Sequence, residues 1–586
     1  MRAKGIMIKP SVSKLNKLCL YLLTQIVFMK TTALFLFLLS CFCGNAQTPL
    51  LFLDYPLDPP GVIQNDDPKN FFIFNGRMYF SASDYNHGDE LWSTDGTPLG
   101  TIKVKEINDN GTTAGSSPAG FTEVNGKFIF SAFDSNGREL WISDGTTTGT
   151  HLLKDIFPGS PHANPNYFTK LGNKVVFAAR GGAEHTELWI TDGTATGTQL
   201  LKDIRPGSSS SNLGSFTPFN GKVYFYAHDG TNGTELWETD GTATGTKMTA
   251  DIYPGPNSSN PASLTVMSGK LYFYAKNNLY GAELWVTDGT TTGTHIVKDI
   301  YPGNKSGMES NSNNPLPEKF AVYNNKLYFS AYDSALGYEL WVSDGTDTGT
   351  YMLKDINPGA GHSRSVNQYI EYNNKLYFSA TDDTHGSELW VTDGTDTGTK
   401  MVVDFMPGSS GSVSGYFIVF DKHMYFRGRK SLTDPSDFQL VQSDGTATGT
   451  KILAPPTAKW DRPLEGTREF FVYNSALYFS AGYDDHGEEL WSLRDPNSIS
   501  VQEPVTDISL FNIYPNPNNG VFTIAGSDEN FAGSSINIYD MNGKKIYETI
   551  AMSQKVMVNM SAVIPGMYTL IVSMKDGFTT KMVIRL

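Results

Sequence analysis

Eight aspartates share one setting, Asp-Gly-Thr, at Asp95, Asp144, Asp192, Asp240, Asp288, Asp344, Asp393 and Asp444. A carboxylate followed by hydroxyls could hold a hard cation. Calcium, however, takes about six to eight oxygen ligands, and each loop offers at least one carboxylate and two threonines, few ligands for a dedicated site. The competing reading is a turn, in which Asp before Gly accepts backbone amides two residues on and fixes the loop. Turn capping is the reading adopted, with calcium the alternative and no other cofactor called for. Tryptophans 92, 141, 189, 237, 285, 341, 390 and 491 each end a Glu-Leu-Trp. A ring of such aromatics would suit ligand stacking, but one large apolar side chain at a fixed place in every repeat is what packs neighbouring units. In the decayed copy Gln439-Leu440-Val441, valine keeps an apolar group and discards the π face.

Catalysis needs acids, bases or metal ligands that converge. His87, His385 and His486 precede Gly ahead of the Trp, but Asn136, Tyr280 and Leu336 fill that place in other copies. The strands expected nearest the centre carry only Glu123, Lys170 and Glu371 as scattered charges. No catalytic, cofactor or metal residue is therefore assigned. One cluster stands apart: Arg427, Arg429 and Lys430, on a chain of formal net charge −15. An acidic surface repels nucleic acid and anionic membrane, so a basic cluster on it points to an acidic glycan or a carboxylate-rich protein.

The amino terminus reads as an export leader. Lys14 and Lys17 precede an apolar run from Leu18 to Phe28, and a second run spans Ala33 to Phe42. Neither approaches the roughly 20 apolar residues that cross a bilayer, so no transmembrane segment is expected in the mature protein. Gly44-Asn45-Ala46 before Gln47 supplies the small residues for cleavage between Ala46 and Gln47. The doubled run suggests that translation starts at Met29, and Leu38-Leu39-Ser40-Cys41 resembles a lipoprotein box as an alternative. Cys19, Cys41 and Cys43 all lie in this leader, so the mature chain has no thiol chemistry. Losing Arg2, Lys4, Lys9, Lys14, Lys17 and Lys30 with it makes the remainder more acidic still.

What positions the repeated residues is a unit of about 48 residues occurring nine times. In the fourth, Phe216 to Phe219 is short and apolar, and Asn220-Gly221 turns the chain. Lys222 to Ala227, Glu235 to Thr239 and Lys247 to Ile252 follow as strands, and Pro254-Gly255 opens a longer crossing. Asn-Gly favours the type I′ hairpin, and four antiparallel strands with a long exit make a propeller blade. The ninth copy stops at Glu489-Leu490-Trp491-Ser492-Leu493, whereas the start of the chain, Leu50 to Asp54, resembles a missing outer strand. This predicts one closed nine-bladed ring. Residues 50 to 495 resemble the Glu-Leu-Trp-x-x-Asp-Gly-Thr repeat family. The strand order is also similar to that of pyrroloquinoline-quinone-type propeller repeats, without their ligand motifs. The resemblance implies a propeller-like repeat in exported proteins and implies no activity.

Beyond a linker the pattern changes to short alternating strands: Phe511 to Tyr514, Val521 to Ala525, Ile536 to Asp540, Lys544 to Ile550, Lys555 to Asn559, Met567 to Met574 and Thr579 to Arg585. About 80 residues in such strands suit a small immunoglobulin-like β-sandwich. Tyr514-Pro515-Asn516-Pro517, Asp540 with Gly543, Gly566 and Tyr568, and Lys581 resemble the type A sorting domain of the type IX secretion system. That resemblance implies export in two steps, with the secretion machinery as partner and a secreted or outer-surface destination. The expected organisation is a leader over 1–46, an all-β propeller over 47–497, a linker over 498–506 and the sorting domain over 507–586. The expected function is a binding or adhesion platform for a glycan or protein. The alternatives are a secreted enzyme degrading polysaccharide or peptide, and a structural cell-coat component. Variable stretches such as Ser208 to Asn212, Met308 to Pro317 and Lys430 to Asp437 are where a partner surface would form.

Overall fold

Two-residue hairpins set the pattern of the whole ring. In the first blade Asn75 and Gly76 take φ of 46° and 74° and join Lys69–Phe74 to Arg77–Asp84. Positive φ at both central residues gives a turn whose twist matches that of the flanking strands. The eighth copy has Asp421-Lys422 in this place and still adopts φ of 42° and 63°, so the turn survives the loss of its favoured residues. The computed structural model describes residues 51–585 except 56–65, 85–86, 99, 109–114, 160–161, 183–184, 208, 309–318, 360, 364–367, 414, 430–437, 454–463, 465–468, 484–487, 495–510, 515–519, 527–530, 532, 540–543, 565 and 575–576. The chain divides into two compact units, the first ending at Ser498 and the second starting at Ile499.

The first unit is a β-propeller of nine four-stranded antiparallel sheets. In eight of them the strands pair in chain order, as in Ala119–Val124, Lys127–Asp134, Gly137–Ser143 and His151–Lys154 of the second. First strands contact the first strands of neighbouring blades and are innermost. The second strand is an unbroken buried run: Phe128, Ile129, Phe130, Ser131 and Ala132 are all buried. A blade has a neighbour on each face, so its middle strands lose the apolar–polar alternation of a half-exposed sheet.

Nine hydrophobic clusters join the blades pairwise. One example unites Val124, Ile129, Leu140 and Ile142 of the second blade with Val175, Phe177, Ala179 and Trp189 of the third. Each Trp is therefore a wedge against the preceding blade, and Val441 takes the same place in the cluster between the seventh and eighth. No sheet closes on itself; the ring is completed by a strand from the other end of the chain. Leu51–Tyr55 pairs antiparallel with Glu489–Arg494 as the fourth strand of the last blade, with Leu51 opposite Arg494 and Tyr55 opposite Leu490. The last and first blades share a cluster of Tyr473, Ala476, Tyr478 and Leu490 with Met78, Phe80 and Trp92. Tyr473 Oη donates to the Gly76 carbonyl across that seam at 2.5 Å.

The second unit has a three-stranded sheet, Phe511–Tyr514, Val521–Gly526 and Lys555–Asn559. A four-stranded sheet of Lys545–Ile550, Ser535–Tyr539, Gly566–Met574 and Gly577–Arg585 lies over it. Phe522, Ile524 and Val558 of the first sheet meet Ile536, Ile538 and Leu570 of the second in one buried core. This is the small sandwich that the alternating strands predict.

Candidate functional site

The repeated residues divide into two sets of joinery at opposite ends of the strands. At one end lie the Asn-Gly hairpins and the Asp-Gly-Thr loops. Asp144 Oδ1 accepts the Thr146 amide at 2.9 Å and the Thr146 hydroxyl at 2.7 Å, and Thr146 Oγ1 accepts the Gly149 amide at 2.9 Å. The other seven loops repeat these bonds, as at Asp240 and Asp393. The Thr hydroxyl and amide hold the Asp144 carboxyl below the usual carboxylate range, and the same holds for Asp192, Asp240, Asp288, Asp344, Asp393 and Asp444. The second Gly of the motif is dictated by this arrangement, since a Cβ on Gly149 would sit 1.9 Å from Asp144 Oδ1. The Asp side chains act as turn caps. Among the described residues no three His, Cys, Asp or Glu converge as a metal set. Bonds between blades brace this rim: Thr147 Oγ1 donates to the Val104 carbonyl at 2.7 Å, and Lys202 Nζ to the Thr246 carbonyl at 2.6 Å.

At the other end the crossings between blades are pinned by a residue that the sequence pattern displays without explaining, the Glu of Glu-Leu-Trp. Glu283 is fully buried and accepts the amides of Ile300 at 3.1 Å and Gly307 at 2.7 Å. Glu235 accepts Ile252 and Ser259 amides and the Ser259 hydroxyl. The same pair of amides, 17 and 24 residues downstream, recurs for Glu139, Glu339 and Glu388. Desolvation raises these carboxyls against the pull of the amides: Glu139, Glu235, Glu339 and Glu388 are pushed up to about 7 and Glu283 to about 8. Their tips are bonded to backbone inside the blade, so they are structural acids rather than candidates for chemistry.

Beyond each pin the crossing varies. It runs from Lys154 to Asn166 after the second blade but from Lys298 to Ala321 after the fifth. Every described Asp-Gly-Thr loop keeps one length, as from Ser143 to His151 and from Thr392 to Lys400. Arg427 and Arg429 lie on the crossing side of the eighth blade, in the strand His423–Arg429. The Arg427 guanidinium carbon sits 3.8 Å from the Phe438 ring centroid and 5.8 Å from that of Tyr416; that of Arg429 is 5.2 Å from Phe438. Two of the three predicted basic residues are thus brought together on an aromatic platform, and Lys430 lies outside the described residues. Of the charges nearest the axis, Lys170 and Glu123 form an ion pair at 3.2 Å, and Glu371 is exposed on the strand Tyr369–Tyr372. Glu469, which the sequence reading passed over, accepts the Asn70 amide at 2.9 Å across the seam between the last and first blades. His385 pairs with Asp382 at 2.8 Å within its own hairpin, and His486 lies outside the described residues.

In the second unit Tyr514 ends its first strand, and Gly566 and Lys581 lie in the last two, with Leu570 opposite Lys581. Tyr568 is buried and its hydroxyl donates to the Ile564 carbonyl. Pro515, Asn516, Pro517, Asp540, Gly543, Ala46 and Gln47 lie outside the described residues. Residues 512–585 match the family of secretion system C-terminal sorting domains. The protein is secreted or held at the outer surface, delivered by the type IX system. No protein of curated function matches the chain. Among solved structures, a prolyl endopeptidase matches 63% of this chain at 12% identity and a TM-score of 0.34, and the chain spans 54% of that protein. PorZ, a surface component of the type IX system of Porphyromonas gingivalis, matches 89% of this chain and 86% of its own length at 13% identity and a TM-score of 0.21. The β-propeller domain of the trilobed protease of Pyrococcus furiosus matches 58% of this chain and 97% of its own length, at 12% identity and a TM-score of 0.28. In the described residues no helix is long and apolar enough to cross a membrane.

Proposed function

We propose that this protein is an exported binding platform of the Glu-Leu-Trp-x-x-Asp-Gly-Thr repeat type, engaging a glycan or protein through the crossing rim of its propeller. One observation carries the reading: the repeated polar residues are consumed in construction. Asp caps turns and Glu pins crossings, which leaves the non-repeated crossing residues to recognise a partner. Within that rim, Arg427, Arg429 and Lys430 are the contact for an acidic glycan or carboxylate-rich surface. Aromatic support under Arg427 and Arg429 fixes the guanidinium planes, which lowers the entropy cost of pairing with carboxylates.

Because Arg427 packs on Phe438, the charge is best removed at its neighbours. Arg429→Ala with Lys430→Ala should abolish retention of the purified protein on an acidic polysaccharide column while leaving its melting temperature unchanged. Unchanged retention would remove the cluster from the reading, and turnover of any polysaccharide or peptide would overturn the binding role. Removing Pro504 to Leu586 should leave a folded propeller that accumulates in the periplasm, since the ring has its own core. N-terminal sequencing of the exported protein should begin at Gln47.

A further inference from the structure

The first strand of most blades opens with a bulge, where the register shifts, as between Asn166 and Thr169 of the third blade. The residue in the bulge takes positive φ: 60° at Asn70, 73° at Gly120, 56° at Ser215 and 57° at Ser263. These are residue types that tolerate the left-handed region. In the third blade the same position is Tyr167, with φ of 56°, and in the eighth it is Tyr416, with φ of 59°, whose ring lies beneath Arg427. A bulky aromatic there is an outlier, and burial does not compensate for it, because Tyr167 remains 49% exposed. An outlier of this kind that its surroundings impose, on an innermost strand, is a reason to look for function.

The geometry around it is that of a stacking platform. One face of the Tyr167 ring lies on Phe216 of the next blade, at 5.7 Å between centroids and 6° between planes. Phe216 stacks in turn on buried Phe225 at 5.1 Å and 20°. The ladder fixes the Tyr167 ring while the residue stays half open to solvent. Hydroxyls stand on the next blade's first strand: the Tyr226 hydroxyl lies against Gly214, and Ser215 occupies the bulge beside it. Lys170, three residues further along the same strand, pairs with Glu123 of the preceding blade at 3.2 Å. A flat apolar face bordered by neutral donors and acceptors fits the C–H face and equatorial hydroxyls of a pyranose ring. It does not fit an anion, which the acidic chain would also repel.

We infer that Tyr167 is a sugar-stacking residue on the innermost strands at the crossing side of the ring, taking a neutral pyranose of a polysaccharide. This deepens the binding reading above and names a second ligand class at a second place on the same rim. The test uses the mature full-length protein and neutral hexasaccharides of β-1,4-glucose, β-1,3-glucose, α-1,4-glucose, β-1,4-mannose and β-1,4-N-acetylglucosamine, followed by saturation-transfer NMR and calorimetry. At least one should bind, with saturation strongest on its axial ring protons. Tyr167→Phe should keep affinity within about threefold. Tyr167→Asn should lower it at least tenfold while raising the melting temperature, since Asn accepts the positive φ that Tyr resists. A residue that merely packs on Phe216 would lower the melting temperature when replaced by Asn, and that result would overturn the inference. So would failure of all five probes, or unchanged affinity in Tyr167→Asn. The Arg429→Ala, Lys430→Ala variant separates the two readings: it should keep neutral-sugar binding and lose acidic-glycan binding. If acidic glycans bind and no neutral one does, this site fails and the platform stands.

Discussion

The two rims of the ring are built from the same nine units and treated in opposite ways. On the Asp-Gly-Thr rim each loop has one length and a capped carboxylate, and most bond to a neighbouring blade, as Thr147 and Thr246 do. On the crossing rim the connections after the intact copies are pinned at their base by a buried Glu, as at Glu139, Glu235, Glu283, Glu339 and Glu388, and their remainder differs from blade to blade. The difference teaches how a repeat protein separates stability from recognition. Invariance is spent where blades must register against one another, and variation is released only beyond a fixed hydrogen-bonded anchor. The long insertion of the fifth crossing, 309–318, falls just after Gly307, the last amide that Glu283 holds.

The comparison breaks first at the pins. Glu283→Ala leaves the amides of Ile300 and Gly307 buried without an acceptor, which should cost on the order of 3 kcal/mol in urea unfolding. Glu283→Gln should cost about half as much, since Gln439 of the eighth blade shows an amide tolerated there. A loss under about 1 kcal/mol for the alanine variant would mean that the crossing bases hold themselves.

A second test uses pH. The pinning glutamates titrate near 7 to 8 in the folded chain against 4.5 when unfolded. A raised folded value means that protonation favours the folded state, so this contribution is fully present below pH 4.5 and disappears as pH rises through about 7. The capping aspartates have the opposite sign: their lowered values contribute stability above 3.8 that disappears as pH falls further. The melting temperature should therefore be several degrees higher at pH 5 than at pH 8, and should fall again below pH 3.5. A curve rising from pH 5 to pH 8 would show that the amides hold the glutamates ionised.

The smallest effect should follow loop removal. Deleting Asn311 to Asn314 shortens a crossing in sequence beyond its anchor and should change stability by no more than about 0.5 kcal/mol. A larger loss would show that the crossing rim is structural as well, and the contrast between the rims would dissolve.

Much of this was legible in the sequence. Apolar Trp at one recurring place, Asp before Gly-Thr, and a chain that begins with the strand its last repeat lacks give the wedge, the cap and the seam in turn. Strands of the second unit were readable where they alternate over a single two-sheet core, as Ser535–Tyr539 and Lys555–Asn559 do. The pin was not, although its Glu stands beside Leu-Trp in every intact copy. A sequence does not say where a carboxylate points, and its partner amides lie in the crossing, where residue types change and only the backbone is constant. The bulge was hidden for a similar reason: Asn, Gly, Ser and Tyr occupy it, and what they share is a dihedral angle. At the eighth turn the hairpin geometry imposed by the neighbouring strands outweighs the preference of Asp421 and Lys422.

The seam also determines how the ring bears load. Leu51 lies opposite Arg494, so the chain enters and leaves the propeller at the same end of one antiparallel pair. Tension between the two ends would peel that pair open one hydrogen bond at a time, the weakest way to pull a sheet apart. Tension applied to Arg494 against the crossing rim acts differently. It draws Glu489–Arg494 lengthwise between Leu51–Tyr55 and Ala476–Ala481, and the bonds on both sides share the force at once. The strand Leu51–Tyr55 thus makes the exit of the ring a shear joint, strong against a pull along Glu489–Arg494.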